Sequence, residues 1–510
     1  MESNLEISKL IDSLITKLDS WLVINRDKTL SLIDPIDNKE INYHYGASHL
    51  SCAFIILGKK RGDKKLVEKG KKILENVLNV WDSCKNNKSF HFDFNNFALS
   101  IISDYIKNDK DDLYEKIKKT VLSTSDSKHY TVNWLPMRYW VNCKRYSWTK
   151  NNIYKSKSDY LLNYIKRATN SDGGIEDLLP KGKSYNLQYN ISTVSTLQFI
   201  NIKMKNFDLT KEINYLLNKV LPDGDINYQG RGVNQIFAWG PWIYILSSSN
   251  KINELEIALK FIKKKLFTML ENNNIMLNEW KGHEKFLWWD YHFSSVYISH
   301  FLFWLTISSE DYNKTRLSKT NVNGFYETGL NLFKEKNYCL ASFNGRSEYY
   351  SEFGPSINAL WLKKYGIIFK GGGGPYMGNF GNKYTFTDLV NRIHFGLIEV
   401  SNQKKTNNKV LNKFINIDIK NYLKPLFTTH KISSFDNKGI KIEFENPLKK
   451  EVILNIPSSI TKCMYEHISL EVDNKEVKLF ENLKIRSQYG WFNIIQSNKQ
   501  MGKSWKLVIF

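Results

Sequence analysis

Residues 223–248, DGDINYQGRGVNQIFAWGPWIYILSS, decide how the rest of the chain is read. The turn Pro222, Asp223, Gly224 feeds a polar, glycine-loosened segment holding Tyr228, Gln229, Arg231 and Asn234. This segment runs directly into an apolar stretch, Ile236 to Leu246. A helix that is apolar all round is a buried one, so the polar groups sit at the mouth of a buried element. Gly230 and Gly232 allow the backbone to approach a bound molecule closely. Taken alone, the segment is read equally well as a loop before a core helix. Its weight comes from recurrence.

Over the first 310 or so residues two kinds of helical segment alternate. One is charged and amphipathic: Leu5 to Leu22, Lys64 to Trp81, Leu113 to Leu122, Ser158 to Arg167, Leu209 to Val220 and Ile252 to Leu270. The other is rich in aromatic and small residues and opens on polar ones: NYHYGASHLSCAFIIL from Asn42, FHFDFNNFALSII from Phe90, HYTVNWLPMRYW from His129, YNLQYNISTVSTLQFI from Tyr185, the Tyr228 stretch, and WWDYHFSSVYISHFLFWL from Trp288. The polar openings fall at His44, Asn95, Asn133, Asn190, Asn234 and His292, about 40 to 60 residues apart, as helical-hairpin repeats require. Such hairpins stack either as an open solenoid, with both faces of similar character, or as a closed ring with apolar helices inside. The contrast between the two helix kinds favours closure. Polar openings that converge on one end of a ring make a groove, the usual place for a site.

After Ser308 the pattern changes. SSEDYNKTRLSKTNVNG is polar and reads as a linker. From Gly324 on, short β-branched runs such as NYCLASF, GIIFK, RIHFGLIEV, GIKIEFE, EVILNIP and SWKLVIF are punctuated by turn residues, as in an antiparallel β-sandwich. The expected fold class is therefore α+β and multidomain: an α/α toroid of about six helical hairpins over 1–310, a linker over 311–323, and an antiparallel β-sandwich over 324–510. Gly371 to Gly374 lack the GK[ST] ending of a phosphate loop and are expected to form a mobile hairpin tip.

Composition bounds the partners. The 510 residues are 42% hydrophobic and 14% aromatic, enough for large cores, and 73 Lys and Arg against 51 Asp and Glu give a formal charge of +22. That balance points to an anionic partner, although Lys, Asn and Ile are all abundant, as they are under AT-rich coding. No nucleic-acid-binding motif accompanies the charge, so no nucleic acid is expected. Five widely spaced cysteines without a CxxC pair indicate neither a disulfide framework nor a zinc site. His44 and His49 lack metal-ligand spacing, so neither a metal nor a cofactor is expected. The N-terminus has no signal-peptide pattern and no run is long and apolar enough to span a membrane. On these grounds a cytoplasmic location is expected, with non-standard export left open. The oligomeric state is not legible.

A helical ring followed by β-sandwich strands, with DGDINYQGRGVNQIFAWG at its centre, resembles the polysaccharide lyases of the chondroitin AC, hyaluronate and xanthan lyase family, and more loosely the heparinase-type lyases. The resemblance covers the architecture of nearly the whole chain, and its motif covers about one helix. It implies an enzyme that cleaves an anionic, uronate-containing polysaccharide or oligosaccharide by β-elimination. In that family the corresponding segment carries a catalytic His and Tyr. Here Gln229 stands near the expected His and Gln235 near the expected Tyr, which leaves Tyr228 to take the tyrosine's role.

β-Elimination removes the proton beside the uronate carboxylate and expels the 4-linked sugar. The site must therefore neutralise that carboxylate and supply a base and an acid. The expected catalytic set is Asn190 as neutraliser, a role the resemblance implies, with Tyr228 as base and acid, Arg231 as its cationic neighbour, and Tyr291 with His292 as a second proton-transfer pair. Expected substrate contacts are Asn133 and Trp134, Asn234, Trp288 as a stacking platform, and Arg346 and Tyr349 reaching in from the β-region. Each has a plainer reading: Asn190 as a helix cap, Tyr228 as a packed aromatic, Arg231 as a surface charge and His292 as a structural histidine. Two alternatives stay open. One is hydrolysis by two carboxyl groups, drawn from Asp172, Glu176, Asp223, Asp225 and Asp290; the other is a non-catalytic glycan-binding or assembly protein.

Overall fold

In a computed structural model of the 510-residue chain, the backbone is described over 2–35, 38–41, 44–84, 91–126, 131–177, 185–205, 208–229, 236–271, 294–312, 328–334, 336, 338–343 and 356–363, and thereafter over strands ending at Ile509. Most of the described part is helical. Six helices are outer: α1 (Glu2–Asp19), α3 (Lys64–Cys84), α5 (Leu113–Ser123), α7 (Asn152–Ala168), α9 (Thr210–Leu217) and α11 (Ile252–Glu271). Alternating with them are the inner helices α2 (Gly46–Arg61), α4 (Phe92–Ile106), α6 (Leu135–Thr149), α8 (Leu187–Met204), α10 (Trp239–Ser248) and α12 (Ser294–Glu310).

Each inner helix packs on the next, α2 on α4, α4 on α6, α6 on α8, α8 on α10 and α10 on α12, and α12 packs back on α2. This last contact makes the arrangement a ring rather than a solenoid. The sequence explains why. In α12 every described position from Ser294 to Ser308 is buried, and in α10 all ten positions are, so neither helix has a solvent face to offer an open superhelix.

At the ring-closing seam Gly46 lies so close to α12 that a Cβ there would meet the Val296 Cα at 2.7 Å. The Val296 backbone sits where an L-residue's side chain would begin. The Asp34 carboxylate accepts from the Ser295 backbone N–H at 3.1 Å and so caps the start of α12 from the other side of the seam.

Two element boundaries differ from the sequence reading, each for a local reason. The inner helix expected from Ile236 begins as a 3-10 turn, Ile236–Ala238, and becomes α-helical only at Trp239. An α-helix begun at Ile236 would need the N–H of residue 241 to bond the Phe237 carbonyl, and Pro241 has none; in the first turn it needs none. The helix expected to reach Leu22 ends at Asp19, because Leu22–Ile24 (β1) pairs with Leu30–Leu32 (β2) in a small hairpin.

Beyond residue 327 the described elements are strands. β3 (Leu330–Lys334), β4 (Tyr338–Phe343), β5 (Ser356–Leu362) and β6 (Gly366–Lys370) form one antiparallel sheet in chain order. β3 was not expected, and β5 falls inside the polar-aromatic stretch FNGRSEYYSEFGPSINALW, whose last residues pair with β4. β7 (Gly378–Phe380) and β8 (Lys383–Thr385) make a hairpin. β9 (Ile393–His394), β10 (Ile398–Val400), β11 (His430–Phe435), β12 (Gly439–Glu445), β13 (Val452–Pro457), β14 (Ile468–Val472), β15 (Lys475–Val477), β16 (Leu479–Ser487), β17 (Gly490–Ser497) and β18 (Ser504–Ile509) make two further antiparallel sheets, ordered β16-β17-β13-β10-β9 and β11-β12-β18-β14-β15. These pairings show antiparallel sheets and not the face-to-face stacking that defines a sandwich. The glycine run 371–374 and the linker beyond Tyr312 lie outside the described residues.

Gly46 is the first residue of α2, where alanine is at least as good a helix former as glycine, so Gly46→Ala would not destabilise an unconstrained helix. Here the added methyl must push α2 from α12, and overpacking of this kind costs about 1–3 kcal/mol. Thermal or urea unfolding should show Gly46→Ala less stable than wild type; an increase would mean that the seam is looser than the 2.7 Å approach implies.

Candidate active site at the mouth of the ring

The N-terminal ends of the inner helices meet at one end of the ring, and aromatic rings join them. Tyr45, just before α2, stacks on Phe94 of α4 with centroids 4.4 Å apart. His91 lies 4.2 Å from His44 and 5.9 Å from Trp134. Phe237, in the turn before α10, stacks nearly parallel on His300 of α12 at 4.5 Å and meets Tyr297 edge-on. The sixth inner helix joins through its cap: the Asn186 side chain accepts from the Tyr189 N–H, and Asn190 Nδ2 donates to the Ile175 carbonyl in the α7–α8 connection at 3.3 Å. The start of α6 is tied to the same connection by the Val132 N–H bonding the Asp177 carbonyl.

Among these rings lie polar groups that the fold leaves unsatisfied. Asn95 Oδ1, Asn96 Oδ1, Asn133 Oδ1 and Asn190 Oδ1 are all buried and have no hydrogen-bond partner among the described residues. A buried polar group left unpaired costs about 1–3 kcal/mol, and these four occur at the openings of three different inner helices. Beside them the Arg138 guanidinium grips the Asp93 carboxylate with both arms, at 2.8 and 3.0 Å, and stands over the Trp134 ring at 5.9 Å. Burial pushes the Asp93 carboxyl up, against the opposing pull of Arg138. The pair holds Trp134 from behind. Asn96, His91 and the Asp93–Arg138 pair were not singled out as candidates from the sequence, although the alternation of aromatic and polar residues in FHFDFNNF is the signal that marks them.

Other expected residues sit in structural roles. Tyr228 is fully buried and its hydroxyl donates to the Lys219 carbonyl at 2.7 Å. Lys219 donates to the Leu330 carbonyl of β3 at 2.7 Å and lies over the Tyr215 ring; burial pulls its ammonium down to about 6. Gln229, which stands near the His of the resembled family, clamps the start of α8: its Oε1 accepts from the Leu187 N–H and its Nε2 donates to the Tyr185 carbonyl. Among the carboxylates considered for hydrolysis, Asp172, Asp223 and Asp225 each accept a backbone N–H two residues on, from Gly174, Asp225 and Asn227, the habit of turn-forming residues. Glu176 is buried in the same connection.

The structure thus brings Asn133, Trp134 and Asn190 to the inner-helix openings and engages the Tyr228 hydroxyl with the Lys219 carbonyl. Arg231, Asn234, Trp288, Asp290, Tyr291, His292, Arg346 and Tyr349 lie outside the described residues. Among the described residues no group of three or more His, Cys, Asp or Glu is placed to hold a metal ion, and no helix is long and apolar enough to cross a membrane.

Just below the mouth, His49 of α2 and His300 of α12 meet Nδ1 to Nδ1 at 3.1 Å, while Trp304 Nε1 donates to His300 Nε2 at 3.2 Å. An indole N–H can only donate, so His300 Nε2 is the acceptor and the neutral His300 ring carries its proton on Nδ1. That proton is given to His49 Nδ1, and His49 is protonated on Nε2. Burial holds both rings neutral: His49 is lowered to about 3, opposed more weakly by a hydrogen bond with the Phe94 backbone, and His300 falls well below its ordinary range. At the other end of the ring a cavity of about 170 Å³ lies among the late turns of α4, α8 and α12. Asp104, Glu310 and Lys203 on its wall are already paired with Lys144, Lys60 and Asp311.

No family model matches this chain, and no curated protein matches it. Solved structures do. A polysaccharide lyase and a family 88 glycosyl hydrolase from Bacteroides vulgatus each match at TM-score 0.37 and 13% identity, over 52% of this chain and 91% of theirs. An inactive variant of the α-1,6-mannanase GH76A of Salegentibacter sp. HEL1_6, in complex with α-1,6-mannotriose, matches at TM-score 0.42 and 10% identity, over 59% of this chain and 99% of its own. With all three TM-scores below 0.5, the ring rests on its own helix contacts.

The histidine seam has a pH signature. Because both rings bind protons less readily folded than unfolded, the unfolded chain takes up more protons below about 6.5, and stability falls as pH drops from there toward the folded value near 3. His49→Asn keeps an acceptor near the Nδ1 position and removes the titration. A plot of urea midpoint against pH from 7 to 4 should fall less for this variant than for wild type; parallel curves would show that His49 is not held neutral.

Proposed function

We propose that this protein is a carbohydrate-active enzyme whose substrate enters the mouth of the helical ring, and that the reaction is β-elimination in an anionic, uronate-containing polysaccharide. The observation that carries the reading is the set of partnerless carboxamide oxygens, Asn95, Asn133 and Asn190, on an aromatic-walled mouth. Sugar hydroxyls donate to such oxygens, and rings such as Trp134 offer a flat apolar face. Each amide nitrogen carries two N–H bonds, so Asn190 can give one to the Ile175 carbonyl and the other to a carboxylate. Six inner-helix N-termini pointing at the mouth supply partial positive charge, which favours an anion there.

In this proposal the ring over 1–310 is the catalytic unit and the β-region after 324 packs as a sandwich. Asn190 neutralises the uronate carboxylate. The Tyr228 hydroxyl already donates to the Lys219 carbonyl, so Tyr291 and His292 take the proton-transfer roles, with Arg231 as a cation at the rim. Asn133, Trp134, Asn234 and Trp288 hold the sugar, and Arg346 and Tyr349 belong to the β-region's side of the groove.

The test is incubation with chondroitin, hyaluronate, heparin-type and plant uronate polymers while following the ultraviolet absorbance of the unsaturated product. A rise with one of them is expected. New reducing ends without that absorbance would indicate hydrolysis, and binding without either would indicate a glycan-binding protein; both outcomes overturn the proposal. Within an active preparation, Asn190→Ala should lower kcat by about 10²-fold or more, the scale for losing one donor to a developing oxyanion. Tyr291→Phe should abolish turnover. Tyr228→Phe should instead lower the melting temperature with little change in kcat; the opposite pattern would return the proton-transfer role to Tyr228.

A further inference from the structure

The +22 charge of the chain is not spread evenly over the outer helices as free charge. On α3 and α11 several lysines are tied to acids, Lys69 to Asp19, Lys71 to Asp109 and Asp111, Lys72 to Glu68, and Lys263 to Glu6, while Lys64, Lys65 and Lys260 are in no ion pair among the described residues. On α5, Lys116 and Lys118 pair with Asp112 and Glu115. α7 differs. Its sequence NIYKSKSDYLLNYIKRA holds Lys155, Lys157, Lys166 and Arg167 against the single carboxylate Asp159, all of them exposed, and none of the four cations is in an ion pair among the described residues. Between them Tyr160 is 53% exposed, and Lys157 stands over the Tyr154 ring at 5.9 Å.

We propose that this face of α7 is a secondary binding surface for an anionic polysaccharide, continuing the mouth of the ring down its outer wall. The inference rests on the proposed function for its choice of partner. Three features support that choice. The helix is a firm platform, capped by the Asn151 side chain at the Ile153 N–H and packed on α6 through Leu161, Tyr164, Ile165 and Ala168. Its C-terminal end lies at the mouth: Lys166 and Arg167 immediately precede the connection whose Ile175 carbonyl holds Asn190. Lys155 and Lys166 lie about 16 Å apart along the axis at 1.5 Å per residue, on one edge of the exposed face, with Lys157 on its other edge. An exposed tyrosine among ammonium groups matches a polymer that presents sugar faces and carboxylates or sulfates in turn. Lys166 and Arg167 also complement the helix C-terminus, a role that does not extend to Lys155 and Lys157.

The experiment compares wild type with Lys155→Gln/Lys157→Gln/Lys166→Gln/Arg167→Gln, and with Tyr160→Ala, in binding to long chondroitin sulfate, its tetrasaccharide, duplex DNA of equal charge and anionic vesicles, over a salt series. Melting curves confirm folding, and Lys64→Gln/Lys65→Gln on α3, compared with Lys155→Gln/Lys157→Gln on α7, controls for net charge. The fourfold variant should bind the long polymer about tenfold or more weakly at low salt with a shallower salt dependence, since each lost cation releases fewer counterions. Tyr160→Ala should weaken it several-fold, and the tetrasaccharide should be bound equally by all. Equal polymer binding by wild type and the fourfold variant overturns the inference, as does an equal loss in the α3 control. Tighter, α7-dependent binding of DNA or vesicles than of the polysaccharide would assign the surface to that partner instead. Binding dependent on α7 without cleavage of any polymer would leave this surface standing and the proposed reaction refuted; cleavage with no such dependence would do the reverse.

Discussion

The seam between α2 and α12 is the constraint on which the rest depends. It joins residues some 250 positions apart, with His300 against His49 and Val296 against Gly46. Without it the six hairpins would form an arc whose end helices exposed two fully apolar faces. With it, every inner helix is enclosed on all sides, and each inner N-terminus is turned to the same end. Long-range contacts of this kind carry a large loop-closure cost. The seam meets that cost with a glycine-thin approach, a capped helix start and a hydrogen-bonded chain of Trp304, His300 and His49. Both histidines stay neutral there because burial disfavours the charged ring.

The same closure creates the mouth. Tyr45, Phe94, Trp134, Phe237 and Tyr297 come from five inner-helix openings and meet only because the ring is shut. The carboxamides of Asn95, Asn133 and Asn190 are set among them at a cost to stability that the fold does not recover internally. Groups kept in that condition mark places where a protein is arranged for something other than its own stability. At the opposite end, acids and bases on the cavity wall are matched with one another. The polarity of the molecule, open at one end and satisfied at the other, is what directs the functional reading to the mouth.

The segment that opens the sequence analysis turns out to join two parts of the molecule. Gln229 clamps α8, Tyr228 binds the carbonyl of Lys219, and Lys219 reaches Leu330 in the first strand of the β-region. Its polar residues were expected to face a ligand; among those described, Gln229 clamps the start of α8 and Tyr228 is bonded to the Lys219 carbonyl. A buried lysine whose ammonium is pulled down to about 6 fits that setting, since it lies among tyrosine rings with little water.

By itself the sequence determined the number and alternation of the helical hairpins and the change from helix to strand beyond residue 310. These follow from local periodicity, composition and turn residues, which neighbouring positions carry in full. It also named Asn133, Trp134 and Asn190, because polar residues at the head of apolar helices stand out in one dimension. Only the tertiary structure decided that α12 returns to α2, that the Tyr228 hydroxyl is taken by the Lys219 carbonyl, and that all four cations of α7 stay out of ion pairs among the described residues while Lys69, Lys71 and Lys72 of α3 do not. A side chain's direction and its partners depend on elements tens to hundreds of residues away. Tyr228 and Asn190 look alike as polar residues at helix mouths, and only the packing around Lys219 separates them.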